Sequence, residues 1–514
     1  MEGCIVVARS TCFLLLTIVA CALLGCCTTT TTTLTERKGR IQEHNIYQHS
    51  ASSAQNVLSW DKNNIPSYIA VEEDDFIQVD GLWLRDSKGK PHFIEGMNYW
   101  SCMNLGSSEA AGGNLSRLQM ELDQMAAVGI NHLRVMASTE GSDHRQPFRI
   151  LPALQYKPGF WDEQVFLGLD RCIAEAGKRG MRLTMVMGNT WQWTGGTAQL
   201  YSWTSGIDIP YPRSWNMSSN PQRSDGYAGW GNWTTANNNE NFMRFQSQFY
   251  TDVDARNIYK GNLDQVMNRR NTITGRIYRQ DATIMTWEPI NEPTSATQQD
   301  KDRSALNKWY EETAHYIKSL APNQLVTTGY ESKQSEEAFR EIHKISAIDY
   351  ACAHMWPQIW GHYDMMNSSK ENVQKTIKWT KEYIMDVQAY SRRLGKPILL
   401  EEFGMPRDNW VNNVSAGSYL YDTSAPTTHR DAVFQSIVDV VTLQYKNKRG
   451  LIGLAPWSYG GLHRTSTQQY NNHGMVIAGD PPQEPPGWFS ILDTDHAMQL
   501  LSQLHQNITQ SFYL

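Results

Sequence analysis

At 514 residues, 40% of them hydrophobic and 19% charged, the chain is long enough to bury a large core as one big domain with tails. A net charge of -6 with no basic block argues against a nucleic-acid partner and suits an uncharged one. The 18 tryptophans and 23 tyrosines supply core filler and flat apolar faces alike.

Residues 1–27 carry Arg9 and then an apolar run from Cys12 to Cys27, short for a bilayer span of about 20 residues, and read as a secretory signal peptide. An uncleaved anchor, or a lipid-modified Cys26, is the alternative, so a membrane is a partner only if this leader is retained. Tripeptides that accept N-glycans at Asn114, Asn216, Asn232, Asn367, Asn413 and Asn507 agree with export. Five of the 8 cysteines lie in the leader, leaving Cys102, Cys172 and Cys352, which allow one bridge at most and match no zinc or iron spacing. Residues 28–75 open with a threonine run and stay polar, which predicts a tether. Residues 76–514 then alternate short apolar runs with amphipathic stretches, with no linker between them, which predicts a single domain.

In chain order the expected strands are 92–98, 130–136, 182–189, 283–288, 325–329, 348–354, 397–402 and 451–457. Helices are expected at 115–128, 165–178, 241–270, 303–320, 336–345, 371–394, 431–446 and 497–508; Leu118, Leu122, Met125 and Val128 illustrate the helical spacing. Eight strand and helix units predict an α/β fold closed into a (β/α)8 TIM barrel, with the site at the C-terminal ends of the strands. No Gly-x-Gly-x-x-Gly follows the first strand, against a dinucleotide-binding sheet.

Polar and aromatic side chains gather at those ends. Trp100 follows the first strand, Arg134 lies on the second, and Trp191 and Trp193 follow the third. Asn291 and Glu292 follow the fourth, His354 and Trp356 belong to the sixth, Glu402 ends the seventh and Trp457 the eighth. Two carboxylates on separate strand ends that converge on one cleft have the chemistry of glycoside cleavage, one donating a proton while the other attacks.

The stretches Gly96-Met-Asn-Tyr-Trp100, Trp191-Gln-Trp-Thr-Gly-Gly196, Trp287-Glu-Pro-Ile-Asn-Glu-Pro293, Glu401-Glu-Phe-Gly404 and Gly487-Trp-Phe-Ser490 resemble glycoside hydrolase family 5, most closely its endo-β-1,4-mannanases. The resemblance covers residues 76 to about 510. It implies a retaining hydrolase of mannan, glucomannan or galactomannan, with Glu292 as acid/base and Glu402 as nucleophile. His144, His463 and His473 show no ligand spacing with carboxylates or thiols, so no metal and no cofactor are expected, and the expected state is a monomer acting on a polysaccharide. A β-1,4-glucanase, an exo-β-mannosidase or a non-catalytic sugar-binding barrel are the alternatives. For the remaining residues the expected role is substrate binding: Trp100, Arg134, Trp191, Asn291, His354, Trp356 and Trp457. The family's tyrosine two residues after the histidine is Trp356 here, which leaves the nucleophile's partner open.

The residues themselves support these roles unequally. Pro293 biases Glu292 towards an extended backbone, and Glu288 reads as a structural acid. Strand alternation sends Glu401 and Glu402 to opposite faces, so that only one enters the cleft. Trp457 is expected under the sugar at the cleaved bond, and the Trp191 and Trp193 loop along an open cleft.

Overall fold

The computed structural model describes residues 68–141, 149–211, 237–297, 300–333, 335–408, 425–462, 470–471, 474–475, 479–482, 484 and 487–511. The leader, residues 28–67 of the tether and three of the glycan acceptors, Asn216, Asn232 and Asn413, lie outside them.

Eight parallel strands form the centre: β1 (Ile94–Asn98), β2 (His132–Met136), β3 (Arg182–Val186), β4 (Ile284–Glu288), β5 (Leu325–Val326), β6 (Ala351–Met355), β7 (Ile398–Phe403) and β8 (Leu451–Leu454). Their order in the sheet is 5-4-3-2-1-8-7-6. Closure follows between β5 and β6, where Asp349 N–H donates to Val326 O at 2.8 Å and Thr327 Oγ1 to Tyr350 O at 3.1 Å. The fold is therefore the expected (β/α)8 barrel. All eight strands are buried, in keeping with runs such as Ile398-Leu-Leu that alternation alone would not produce.

Each strand is followed by a helix: α1 (Leu115–Ala127), α2 (Glu163–Lys178), α3 (Val253–Met267), α4 (Asp300–Leu320), α5 (Glu336–His343), α6 (Lys370–Arg393), α7 (Thr428–Lys446) and α8 (His496–Ser511). Local chemistry sets several starts. Asn114, Asp162, Ser335 and Ser369 each accept a backbone N–H from the first turn of α1, α2, α5 and α6. The helix expected over 241–270 is instead two, Asn237–Gln246 and α3, because Asp252 caps a new start by accepting from Ala255 N–H at 2.7 Å. A further helix, Gly196–Ser205, was not expected.

Short antiparallel strands at Gln78–Asp80, Trp83–Arg85 and Pro91–His92 precede the barrel. Ile77 and Leu84 pack with Ile94, Leu325, Leu399 and Ile452, residues from the beginnings of barrel strands, and so cover the barrel's N-terminal end. The tether boundary at 75 is too late. Val71 N–H donates to Gly177 O at 2.9 Å, and Asp75 pairs with Arg182 of β3. Cys102 and Cys172 form a disulfide, leaving Cys352 buried and free. Among the described residues no helix is long and apolar enough to cross a membrane.

Candidate active site

The C-terminal ends of the strands converge on Arg134. Its Nε and Nη2 donate to the two oxygens of Glu288, at 2.8 and 2.6 Å, in a bidentate pair. Nη1 reaches Asn98 Oδ1 at 3.1 Å and Glu402 Oε1, and Nη2 also reaches Asn291 Oδ1 at 2.7 Å. Arg134 is 3% exposed and its donors are committed to protein, so it orders the site from beneath rather than meeting a ligand. Burial pushes the Glu288 carboxyl up to about 8, against the pull of Arg134.

His354 is the second organiser. Its Nδ1 lies 2.8 Å from Glu292 Oε1 and 3.2 Å from Glu402 Oε2, and its Nε2 lies 3.4 Å from Glu401 Oε2. Burial alone would lower its pKa. The Glu402 charge and the bonds to Glu292, Glu401 and Glu402 outweigh burial and hold it well above the ordinary imidazole value. Oxygens of Glu292 and Glu402 and a ring nitrogen of His354 all lie within 4.8 Å of one another. A cation fits such a spacing, but His354 Nδ1 already lies within hydrogen-bond reach of both carboxylates.

Two backbone irregularities correct the sequence reading. Ala353 pairs with Leu400 but His354 pairs with Glu402, so Glu401 is an extra residue, a β-bulge in β7. Both glutamates consequently turn towards His354, whereas unbroken alternation would have sent one away. Glu292 is not extended. Its φ of +50° lies in the left-handed region, at a cost of roughly 1–2 kcal/mol, and its N–H donates to Gly329 O at 2.8 Å.

Trp191 Nε1 donates to Glu292 Oε2, so this tryptophan holds a carboxylate as well as lining the cleft. The loop that carries it needs two glycines. Gly195 and Gly196 have φ of +97° and +56°, and a Cβ on them would lie 2.1 Å from Glu140 O and 2.0 Å from Asn189 O. Glu140 anchors the same loop, accepting from Gly196 N–H at 2.8 Å and from Ser138 Oγ. Asn291 donates from Nδ2 to Asn189 Oδ1 at 3.1 Å.

Trp100, Trp193, Trp457 and Trp356 form a row of edge-to-face contacts with centroids 5.9, 6.3 and 6.2 Å apart. They are 2%, 2%, 4% and 6% exposed, so Trp193 is wall rather than the open platform expected of it. Trp100 Nε1 donates to Gly479 O at 2.6 Å. Trp356 packs on Phe489, and a Cβ on Gly404 would lie 2.4 Å from its ring; the Glu402 partners are Arg134 and His354. Trp457 Nε1 donates to Glu484 Oε2 at 3.1 Å. Sequence reading missed Glu484, an acid in a proline-rich stretch without periodicity. Burial first, then Asp480 and the charges of Glu402 and Glu292, hold its carboxyl well above the usual range.

Residues 74–512 match the family model described as GH family 5 beta-mannosidase-like. The chain belongs to glycoside hydrolase family 5. This family 5 glycoside hydrolase is 28% identical over 389 residues to mannan endo-1,4-beta-mannosidase 5 of Solanum lycopersicum, covering 72% of this chain and 78% of that protein. It is 35% identical to the family 5 mannosidase of Rhizomucor miehei, whose crystal structure superposes with a TM-score of 0.76 over 86% of this chain and 100% of that one. A variant of that Rhizomucor enzyme in complex with mannosyl-fructose is 34% identical, with a TM-score of 0.75 over 86% and 99% of the two chains.

Proposed function

We propose that this family 5 hydrolase cleaves internal β-1,4-mannosidic bonds of mannan, glucomannan or galactomannan with retention of configuration, Glu292 serving as acid/base and Glu402 as nucleophile. The observation that carries the reading is the approach of the Glu292 and Glu402 carboxylate oxygens to within 4.8 Å. Retaining enzymes hold their carboxyl groups about 5–5.5 Å apart, whereas inverting ones leave roughly 6.5–9.5 Å for a water.

In the first step an oxygen of Glu402 attacks the anomeric carbon. The bond to the leaving sugar breaks, and the Glu292 proton passes to the departing oxygen. In the second, the Glu292 carboxylate takes a proton from water while the water oxygen attacks the same carbon and the ester bond to Glu402 breaks, restoring both groups. Arg134 Nη1 donates to Glu402 and aims it. Asn291, ordered between Arg134 and Asn189, offers an amide to the sugar's 2-hydroxyl, a contact that strengthens as the ring becomes oxocarbenium-like. The buried tryptophan row packs one wall of the site.

One observation favours exo-acting mannosidase action as a second reading: the family model that the chain matches is described as beta-mannosidase-like. Reducing-sugar release from mannan, cellulose and xylan side by side, followed by sizing of the products from a mannooligosaccharide series, separates the possibilities. The proposal expects release from mannan with mixed oligomers among the products. Mannose as sole product selects exo action, and faster release from cellulose rejects both.

A further inference from the structure

Glu401 has no part in the two-step reaction above, yet it is fully buried within reach of the groups that do. Its Oε2 accepts from His354 Nε2 at 3.4 Å, and its Oε1 has no hydrogen-bond partner and lies 3.9 Å from Arg134 Nε. A buried carboxylate oxygen without a partner is unfavourable, and the bulge that turns Glu401 inward is a second local irregularity. On the opposite edge of the imidazole, a single Nδ1–H faces Glu292 and Glu402 at once, at 2.8 and 3.2 Å. Tyr383 Oη donates to His354 O at 2.6 Å and fixes the backbone beneath the ring.

We propose that Glu401 is a positioning residue that keeps His354 doubly protonated, so that its Nδ1–H supports the Glu402 carboxylate before attack and the Glu292 carboxylate once Glu402 has become an ester. This rests on the retaining reading above. The negative charge moves from Glu402 to Glu292 during the first step and returns in the second. A fixed N–H between the two stabilises whichever carries the charge, without leaving its nitrogen. A neutral imidazole could instead carry its one proton on Nε2 and offer Nδ1 as an acceptor, which would repel the carboxylates. An anion at Nε2 opposes that loss of charge.

The surrounding groups fit the assignment. Arg134 from β2 holds Glu401 anionic against burial, and burial pushes His132 of β2 and His343 of α5 down to about 3, so that neither adds charge. Burial raises the Tyr350 hydroxyl and Cys352 thiol of β6 out of the working range. Beyond β5, Glu331 is paired with Lys333. Beyond β8, burial keeps the Glu484 carboxyl protonated well above the usual range. Glu288 of β4, pushed up to about 8, also titrates nearby, and Glu292 exchanges a proton in the reaction, so the test reads His354 itself.

The full chain is labelled with 15N-histidine, and the His354 signals, identified with His354→Gln, are followed from pH 5 to 9 in the wild type and in Glu401→Gln. The wild-type ring is expected to stay doubly protonated well above the ordinary imidazole value, and in Glu401→Gln to lose its proton at least about one pH unit lower. The alkaline limb of kcat/KM on mannooligosaccharides is expected to move with it, giving about a tenfold loss at pH 8 and little change at pH 5. A neutral wild-type His354 at pH 7 overturns the proposal, whether or not the variant folds. So does a Glu401→Gln profile that is lowered equally at every pH. The titration needs no substrate, so failure to cleave mannosides would reject the function while leaving the Glu401 result standing.

Discussion

Trp191 changes meaning once its indole nitrogen is seen donating to Glu292. The loop sequence suggests a sugar platform set back from the chemistry. The geometry instead makes removal of that N–H a loss felt in the transition state, because a hydrogen bond to a charged group contributes about 1.5–3 kcal/mol. Trp191→Phe is therefore expected to lower kcat by about ten- to a hundredfold with KM nearly unchanged; a rise confined to KM would return Trp191 to the platform role. Trp457, tied to Glu484 and packed between Trp193 and Trp356, should show its effect on short and long mannooligosaccharides alike when replaced by Ala. A kcat left unchanged in Trp457→Ala would remove it from the cleavage subsite. Both expectations use side chains that the sequence singles out by position at strand ends. Glu401 and Glu292 show where such reading fails: alternation and the proline rule are local, while the bulge and the left-handed φ answer to neighbouring strands. Glu484 offered no local signal at all.

At the scale of elements, the loop from Trp191 to Gly196 is held to the end of β2 by one buried acid. Burial pushes Glu140 up to about 7 despite its bonds from Ser138, Gly196 and the nearby Arg149 charge. Its folded pKa lies above the unfolded value, so its stabilising effect is complete below about pH 4.5 and is lost as pH rises through about 7. The shift sets an upper limit of about 3 kcal/mol. Thermal unfolding of wild type and Glu140→Gln between pH 4.5 and 8 should show the wild type's Tm falling relative to the variant across that window. A constant difference would mean that Glu140 is ionised throughout. The strands of this barrel were legible because apolar runs bounded by helical periodicity are a local signal. The break before α3 and the helix Gly196–Ser205 were not, since one is set by the Asp252 cap and the other by a loop closed through Glu140.

Across the whole molecule, the barrel is stapled by Cys102–Cys172, which links the segment after β1 to α2 across 70 residues. Closing a loop of that length in the unfolded chain is worth about 4 kcal/mol on the chain-entropy account. Replacing both cysteines by Ala should lower Tm by a few degrees and leave kcat unchanged, and calorimetry with matched kinetics checks both halves. No change in Tm would mean that the bridge constrains little. Three cysteines beyond residue 27 allow one bridge at most, but pairing depended on how α2 returns against the start of the barrel, which only the fold supplies. The barrel brings carboxylates from β7 and from just beyond β4 to one imidazole, and on the proposed reading the β7 acid attacks the sugar. Inactivation with a 2-deoxy-2-fluoro mannosyl fluoride, followed by digestion and peptide mass spectrometry, tests this directly. One fluorosugar esterified to Glu402 is the expected product; a label on Glu401, or hydrolysis of mannosides with no trappable ester, would rule out Glu402 as the nucleophile.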